Sequence, residues 1–438
     1  MGVIGLLLAL AVLIVLVFKG FHALPVSLFA ALIIFVTNRF DIWPGFMEGY
    51  APAMTGFIAS YLIMFLLGSL VGELLSKSGA ASAIAKKLTD TFGAKHAFLI
   101  VVLSSVILSY GGVSVFVIVF SIYPIALILF QEADIPKRVI PGAILLGAGS
   151  FTMTALPGSP ALTNIIPTKY LGTTTTAAPL VGIGASIVMF TVGVIIFNAY
   201  IKKLKANGEK FELGEKDKLI GISAEQMENL PSFGLSIIPI IVIVGTILGV
   251  RFAGIDIDPI YSVVIALLAG AVVTYLLFYK RLEDPKTSIR MASEGSINAL
   301  MNTSSIVGFG GAIRLVPAFQ AFVNFATGLA FNPLISAALA VNIIAGITGS
   351  SSAGITIFMD TMSQNFLSMG IEPQLLHRVC AIAAGVLDSL PHAGPNVTFL
   401  MVAGLSFKEG YPGIFIATCI VPLCGLITAL CLGLMGIL

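Results

Sequence analysis

Charge is scarce in this chain: Asp, Glu, Lys and Arg make up 10% of its 438 residues, against about 25% in a soluble domain. So few charges cannot furnish the water-facing surface of a globular protein of this size, and a soluble fold is excluded. Histidine occurs four times, at His22, His96, His377 and His392, scattered and without an H-E-x-x-H pair. An intramembrane enzyme therefore has no support. The four cysteines (Cys380, Cys419, Cys424 and Cys431) lack C-x-x-C spacing and lie in apolar segments. They read as small hydrophobes, not as a metal or disulfide site. No cofactor is implied. No G-x-x-x-x-G-K-[ST] run is present, which argues against direct ATP drive. A net charge of only +2 gives nothing for nucleic acid to bind.

What the chain has instead is apolar length. It is 58% hydrophobic, with a mean hydropathy of +1.05. The apolar runs are continuous, not alternating, which excludes a transmembrane β-barrel and predicts an all-α polytopic membrane protein. The opening MGVIGLLLALAV has no basic n-region and no small-residue cleavage site, so it reads as a first spanning helix. The longest polar stretch, 202–230, is too short for a nucleotide-binding domain.

Landmarks recur at an offset of 234 to 240 residues: Pro25 and Pro259, Gly68 and Gly308, Gly112 and Gly349, Pro136 and Pro373, Pro157 and Pro391, Pro160 and Pro395. Six pairs in one order predict two copies of one unit, 1–201 and 235–438, joined by a linker at 202–234. Charge gaps divide the first unit into helices at 3–19, 24–38 and 56–76 and an amphipathic connector at 78–92. A charge-free run at 97–131 follows, then a broken helix at 138–168 and a last helix at 177–201. The second unit gives 235–251, 259–279, 296–315, 333–368, a broken helix at 374–406, and 412–437. The runs at 97–131 and 333–368 suit two arms folded back on each other as re-entrant hairpins. Five crossings plus one hairpin is an odd count, so the second unit is expected to be inverted. Tracing the chain puts eighteen of the 23 basic residues, including the linker lysines, on one side. Arg39, Lys169, Arg251, Arg314 and Arg378 fall on the other. The positive-inside rule then places the linker in the cytoplasm and both termini outside, in the plasma membrane.

Irregular backbone at membrane depth is tolerated only where protein or a water-filled cavity satisfies it. Four such interruptions stand out, at 111–114, 152–164, 346–354 and 388–398. Half-helix starts there offer free amides and about half a positive charge each, which suits an anionic headgroup. The candidate binding residues are Gly111, Gly112, Ser114, Thr154, Ser159, Asn164, Gly349, Ser350, Ser351, Ser352, Asn396 and Thr398. The bland alternative is that these are kinks between packed helices. With no Lys or Arg in the breaks, dipoles and hydroxyls are expected to hold the anion. Ionisable groups at depth are costly. Asp388 and His392 flank Pro391, and Asp360 lies beyond the second hairpin tip, so these three are the candidates for proton coupling. Structural hydrogen bonding is the competing role for Asp388. Glu73 and Arg314 read as side chains that snorkel to an interface.

Together LLGSLVGELLSKSGAASAIAKKL, YGGVSVFVIVF, ALPGSPALTNIIP, LPSFGLSIIPI, GITGSSSAGITI and LDSLPHAGPNVTFLMVAG resemble the gluconate permease family, within the ion-transporter superfamily of carboxylate carriers, over nearly the whole chain. The resemblance implies uptake of small organic carboxylates with protons, an elevator-like mechanism and a homodimer. The chain departs from gluconate-transporting members at two places. It reads Tyr110-Gly111-Gly112 where they carry an acidic residue, and Leu156-Pro157-Gly158-Ser159-Pro160 where they carry a histidine. Its LDSLPH stretch is closer to the hydroxybutyrate permease branch. A short hydroxy acid such as 3-hydroxybutyrate fits side chains such as Phe151, Met153 and Leu156. Sodium coupling through Ser, Asn and carbonyl oxygens, exchange, and a passive anion channel remain as alternatives.

Overall fold

The computed structural model describes residues 2–19, 21–93, 96–113, 115–214, 229–253, 257–282, 284–317, 332–391, 393, 396, 399–400 and 402–438. The described chain is helical throughout, in agreement with the expected all-α class. The first half runs α1 (Gly2–Phe18), α2 (Ala23–Asn38), α3 (Ile42–Lys77), α4 (Ala80–Phe92), α5 (Ala97–Tyr110), α6 (Val115–Glu132), α7 (Ile140–Ala148), α8 (Leu162–Leu171) and α9 (Pro179–Ala206). The second runs α10 (Phe233–Phe252), α11 (Pro259–Phe278), α12 (Pro285–Arg314), α13 (Pro333–Thr348), α14 (Ser351–Thr361), α15 (Ser363–Ser368), α16 (Pro373–Ala384) and α17 (Phe407–Leu434). Of the linker, 215–228 lies outside the described residues. By length and composition, four described helices could each cross a bilayer: Ile42–Lys77, Pro179–Ala206, Ile260–Arg281 and Phe407–Leu434.

Helix starts in the second half share one chemistry. Asp258, Asp284, Asn332 and Glu372 each precede a proline and accept a hydrogen bond from an amide of the first turn. The side-chain oxygen satisfies an orphan donor, and proline at the first helical position loses no bond that the helix would make. At the exposed start of α12, the hydroxyl and amide of Thr287 hold the Asp284 carboxyl below its ordinary range.

Two helices begin earlier than charge gaps suggest. The segment expected at 56–76 starts at Ile42, because Pro44 and Pro52 sit in early turns and a π-helical stretch, Gly45–Tyr50, carries the chain between them. The segment expected at 296–315 starts at Pro285, where Lys286, Arg290 and Glu294 lie on an exposed first stretch. Charge there marks a helix emerging from the apolar zone, not its end.

The long helices α3 and α12 pack along each other. Small residues let their backbones approach: a Cβ on Gly311 would fall 2.4 Å from the Ala53 Cβ and 2.5 Å from the Gly49 carbonyl oxygen. Around this pair the packing is reciprocal. Helix α2 lies on α12 and α11 on α3, while α1 pairs with α2 and α10 with α11. Helices α9 and α17 pack together at the other flank. Two helical hairpins, α5–α6 and α13–α14, pack on α7 and α16 respectively. Arm α5 has 14 residues, about 21 Å at 1.5 Å per residue. That is short of a hydrocarbon core of about 30 Å.

Each described chain end is tied to the end of a neighbouring helix. The Leu180 amide donates to the Leu438 carbonyl, and the Asn38 side chain reaches the Gly2 carbonyl. Near the linker Arg138 pairs with Glu209 at 3.2 Å and donates to the Glu409 carbonyl, and Arg281 donates to the Asn229 carbonyl. Gly311→Val should part α3 from α12 and cost about 1–3 kcal/mol, as overpacking does. Gly295, on the same helix with open space around it, should accept alanine without loss. Thermal unfolding of the purified protein in detergent separates the two. Equal midpoints would refute the tight seam.

Candidate functional site

Each hairpin tip is seated on the break of its neighbouring broken helix. In the first half, Gly111 and Gly112 close the turn between α5 and α6, and Gly112 takes φ +82°, a conformation that favours glycine. The Tyr110 hydroxyl donates to the Pro157 carbonyl at 2.7 Å. The Ser109 hydroxyl reaches the Ala148 carbonyl at 3.1 Å and the Thr152 hydroxyl at 3.2 Å. A Cβ on Gly112 would stand 3.5 Å from Pro160 and 2.8 Å from Leu267 of α11, so this tip also meets the helices around the α3–α12 pair.

In the second half, Gly349 turns at φ +59° and Ser350 caps α14 through the Ala353 amide. The Ser350 and Ser352 hydroxyls lie 3.2 Å apart. Ser351 lies beside the Asp388 carboxylate, which accepts from the Ser389 hydroxyl at 2.9 Å. Tyr411 of α17 donates to the Ser389 carbonyl at 3.2 Å. The two breaks themselves touch, since a Cβ on Gly385 would lie 2.6 Å from Thr154 Cγ2.

Two asparagines do the same work in both breaks. Asn164 Nδ2 donates to the Ser159 and Thr175 carbonyls, each at 2.8 Å. Asn396 Nδ2 donates to the Ser389 and Leu390 carbonyls at 2.9 and 3.0 Å. These amides replace bonds the interrupted helices cannot make. Thr154, Ser159, Asn164 and Asn396 are buried, while Ser350 and Ser352 retain exposure at the tip. Ser114, His392 and Thr398 lie outside the described residues. Asp360 is not brought to the breaks. It pairs with Arg314 at 2.6 Å, away from Asp388 and half-exposed. Glu73 pairs with Lys77 one turn on, at 3.9 Å.

Sequence reasoning missed Arg378 and His377. Both are fully buried. From α16, Arg378 crosses to the first break and donates to Asn164 Oδ1 at 2.9 Å, to the Thr175 carbonyl at 3.1 Å, and twice to the Ala177 carbonyl. His377 Nε2 lies 3.2 Å from Asn164 Oδ1, and its Nδ1 lies 2.7 Å from the Thr173 hydroxyl. So the expectation that no basic side chain serves the breaks is corrected: a guanidinium bonded only to neutral oxygens lends the first break a positive field. It also leaves the basic residues on the linker-free side one fewer, because Arg378 is not a loop charge. The available signal was an arginine inside an apolar helix, four residues short of a second turn of alanines, where an ionisable group is functional by default.

Helices α8 and α14 both begin at these irregular stretches, so their first-turn amides point out of the helix ends. Amides, a buried guanidinium and the Ser350–Ser352 hydroxyls can bind a carboxylate, and Asp388 can carry a proton beside it. Arg378→Met strips donors from Asn164 Oδ1 and two carbonyls, each worth about 1–3 kcal/mol when buried and unpaired. Tyr110→Phe removes one hydrogen bond, about 0.5–1.5 kcal/mol. Unfolding midpoints should drop far more for Arg378→Met. A smaller drop than for Tyr110→Phe would mean that the guanidinium does not hold the break.

Comparison with known proteins bears on this arrangement. The model for the GntP family permease matches residues 1–435. The chain is 34% identical over 455 aligned positions, covering 96% of each, to the uncharacterized transporter YxjC of Bacillus subtilis (strain 168). It is 25% identical over 269 positions to the high-affinity gluconate transporter of Escherichia coli (strain K12), covering 58% of this chain and 56% of that one. Among solved structures, the YdaH transporter of Alcanivorax borkumensis, described as having an unusual topology, superposes with a TM-score of 0.53 at 15% identity over 87% of both chains, a likeness of fold. The expected family is thus borne out, and so is a transporter in place of an enzyme: the chain belongs to the GntP permease family of integral membrane transporters.

Proposed function

We propose that this secondary transporter takes up small organic carboxylates, a short hydroxy acid such as 3-hydroxybutyrate or a gluconate-like acid, together with protons. The observation that carries the reading is the Ser351–Asp388–Ser389 cluster, where a hairpin tip lies beside a carboxylate at a helix break that accepts from the Ser389 hydroxyl. A carboxylate there is open to protonation while an anion occupies the adjacent amides and hydroxyls. The buried Arg378 near the other break supports an anionic substrate. Gluconate transport by the Escherichia coli relative fits the same substrate class.

Alternating access proceeds by an elevator-type movement in this reading. The α3–α12 pair with α1, α2, α10 and α11 forms the frame, and the hairpins with the broken helices form the moving body. Reciprocal packing of α2 on α12 and α11 on α3 supports two inverted repeats. We take the functional particle to be a homodimer, with the linker cytoplasmic and both termini outside. The charge asymmetry supports that orientation.

Asp388→Asn keeps size and much of the hydrogen bonding but cannot titrate. In liposomes it should lose accumulation of carboxylate driven by a proton gradient while retaining exchange. Accumulation with unchanged pH dependence would sink the proton-coupling role, and accumulation driven only by a sodium gradient in wild type would replace protons with sodium. For orientation, a cysteine placed in the 215–228 stretch should resist an impermeant thiol reagent in intact cells and react after permeabilisation. Ready labelling from outside would reverse the assignment.

A further inference from the structure

A second polar pocket lies apart from the helix breaks. It sits in the seam between the α3–α12 pair and the elements α8 and α14, and has a volume of about 240 Å³. Its polar lining is Ser60 and Tyr61 of α3, Lys169 and Tyr170 of α8, Arg314 of α12, and Thr356, Asp360 and Thr361 of α14. Helix α12 starts beside the linker end, where Arg281 holds Asn229, and carries Arg314 at its far end. Lys169 likewise precedes α9, whose other end enters the linker. Along the chain, Arg314 and Lys169 therefore lie away from the linker ends of these helices.

Its charges do not cancel. Arg314 is matched by Asp360, Nη1 to Oδ2 at 2.6 Å. The Lys169 ammonium meets the Ser60 hydroxyl at 3.3 Å and the Tyr170 ring at 6.0 Å, and among the described residues it has no carboxylate within salt-bridge distance. Asp258, whose charge reaches Tyr61, is not among the lining residues and accepts from the Ile260 amide at 2.8 Å. Among the lining residues, two cations and one carboxylate leave one positive charge in a concave, partly apolar site, walled by Phe57, Val307 and Ile357. Low-dielectric walls focus such a field and raise the local concentration of the opposite ion. The size admits a small organic acid and refuses a nucleotide or peptide.

We propose that this pocket is a recruiting site for small monocarboxylates, with Lys169 as the attracting charge, a step before the helix breaks. The inference rests on the carboxylate reading above. A dicarboxylate finds only one unmatched cation and the Asp360 carboxylate against it, so monoanions are favoured. The held Arg314–Asp360 pair keeps attraction modest, which lets the ligand leave for the deeper site.

The test reads pocket charge without relying on transport. Gly56 lines the pocket with open space around it, so Gly56→Cys, in a chain with Cys424 and Cys431 replaced by serine, reports reactivity there. An anionic methanethiosulfonate should react about tenfold faster than a cationic one, after each is normalised to a free thiol. Lys169→Gln and high salt should erase the difference, and 3-hydroxybutyrate should slow labelling at low salt. In uptake assays Lys169→Gln should raise KM for external carboxylate about tenfold, with Lys169→Arg restoring it. A rate ratio at or below one, or one untouched by Lys169→Gln, overturns the proposal, as does an unchanged KM. If wild type moves no carboxylate at all, the transport reading fails. The pocket is then judged by labelling alone: slowing by 3-hydroxybutyrate supports it, and no slowing overturns it.

Discussion

A peptide group stranded in hydrocarbon costs several kcal/mol, and this constraint governs the centre of the molecule. Two helices are interrupted there, and every interruption exposes carbonyls and amides that no water-free environment will solvate. The fold answers with side chains that imitate the missing turns. Asn164 and Asn396 each clamp two carbonyls. Tyr110 covers Pro157, Tyr411 covers Ser389, and the Arg378 guanidinium gathers three further oxygens. A broken helix thus becomes rigid enough to present unpaired amides in a fixed direction, which is what binding an anion without a dedicated surface cation requires.

These clamps also tie the halves of the chain together. Arg378 belongs to α16 but serves the first break, and Thr154 of the first break touches Gly385 at the end of α16. Unlike this cross-stitched core, the seam against the α3–α12 pair combines small and apolar side chains with a polar pocket, and among the described residues its directional bonds are surface-type contacts rather than a buried network. Arg314 to Asp360 and Lys169 to Ser60 are bonds that cross it. A boundary with few directional contacts can slide, whereas a network of buried hydrogen bonds can only move as a unit.

Much of this was legible in the sequence, for physical reasons. Class followed from charge poverty, and the hairpins and breaks from glycine and proline inside apolar runs, since those residues interrupt helices wherever they stand. Gly112, Gly349, Ser351 and Asp388 were placed at tips and breaks by that logic alone. Helix ends were less legible at 42–55 and 285–295, because a helix that leaves the bilayer carries charge without stopping. Arg378 was illegible as a clamp because its partners lie more than two hundred residues away, at 164, 175 and 177. A single sequence read segment by segment assigns such an arginine to the nearest loop. Asp360 failed as a neighbour of Asp388 for the converse reason: distance along α14 carries it out to Arg314.

The two breaks match in backbone chemistry but differ in charge, and under the proposed proton coupling that difference would order the transport cycle. The first holds Arg378, the second Asp388. With no substrate, these two charges sum to zero. A bound monocarboxylate alone would make the moving body negative, and an unbalanced charge at membrane depth is costly. A proton on Asp388 restores neutrality, so under the proposed coupling the empty body and the body carrying one monoanion with one proton are the two neutral forms. In that reading only these would cross readily, and the half-loaded forms would be held back by the same desolvation that makes buried charge expensive. Coupling then needs no moving gate linking the two ligands, only a boundary that neutral bodies pass and charged ones do not.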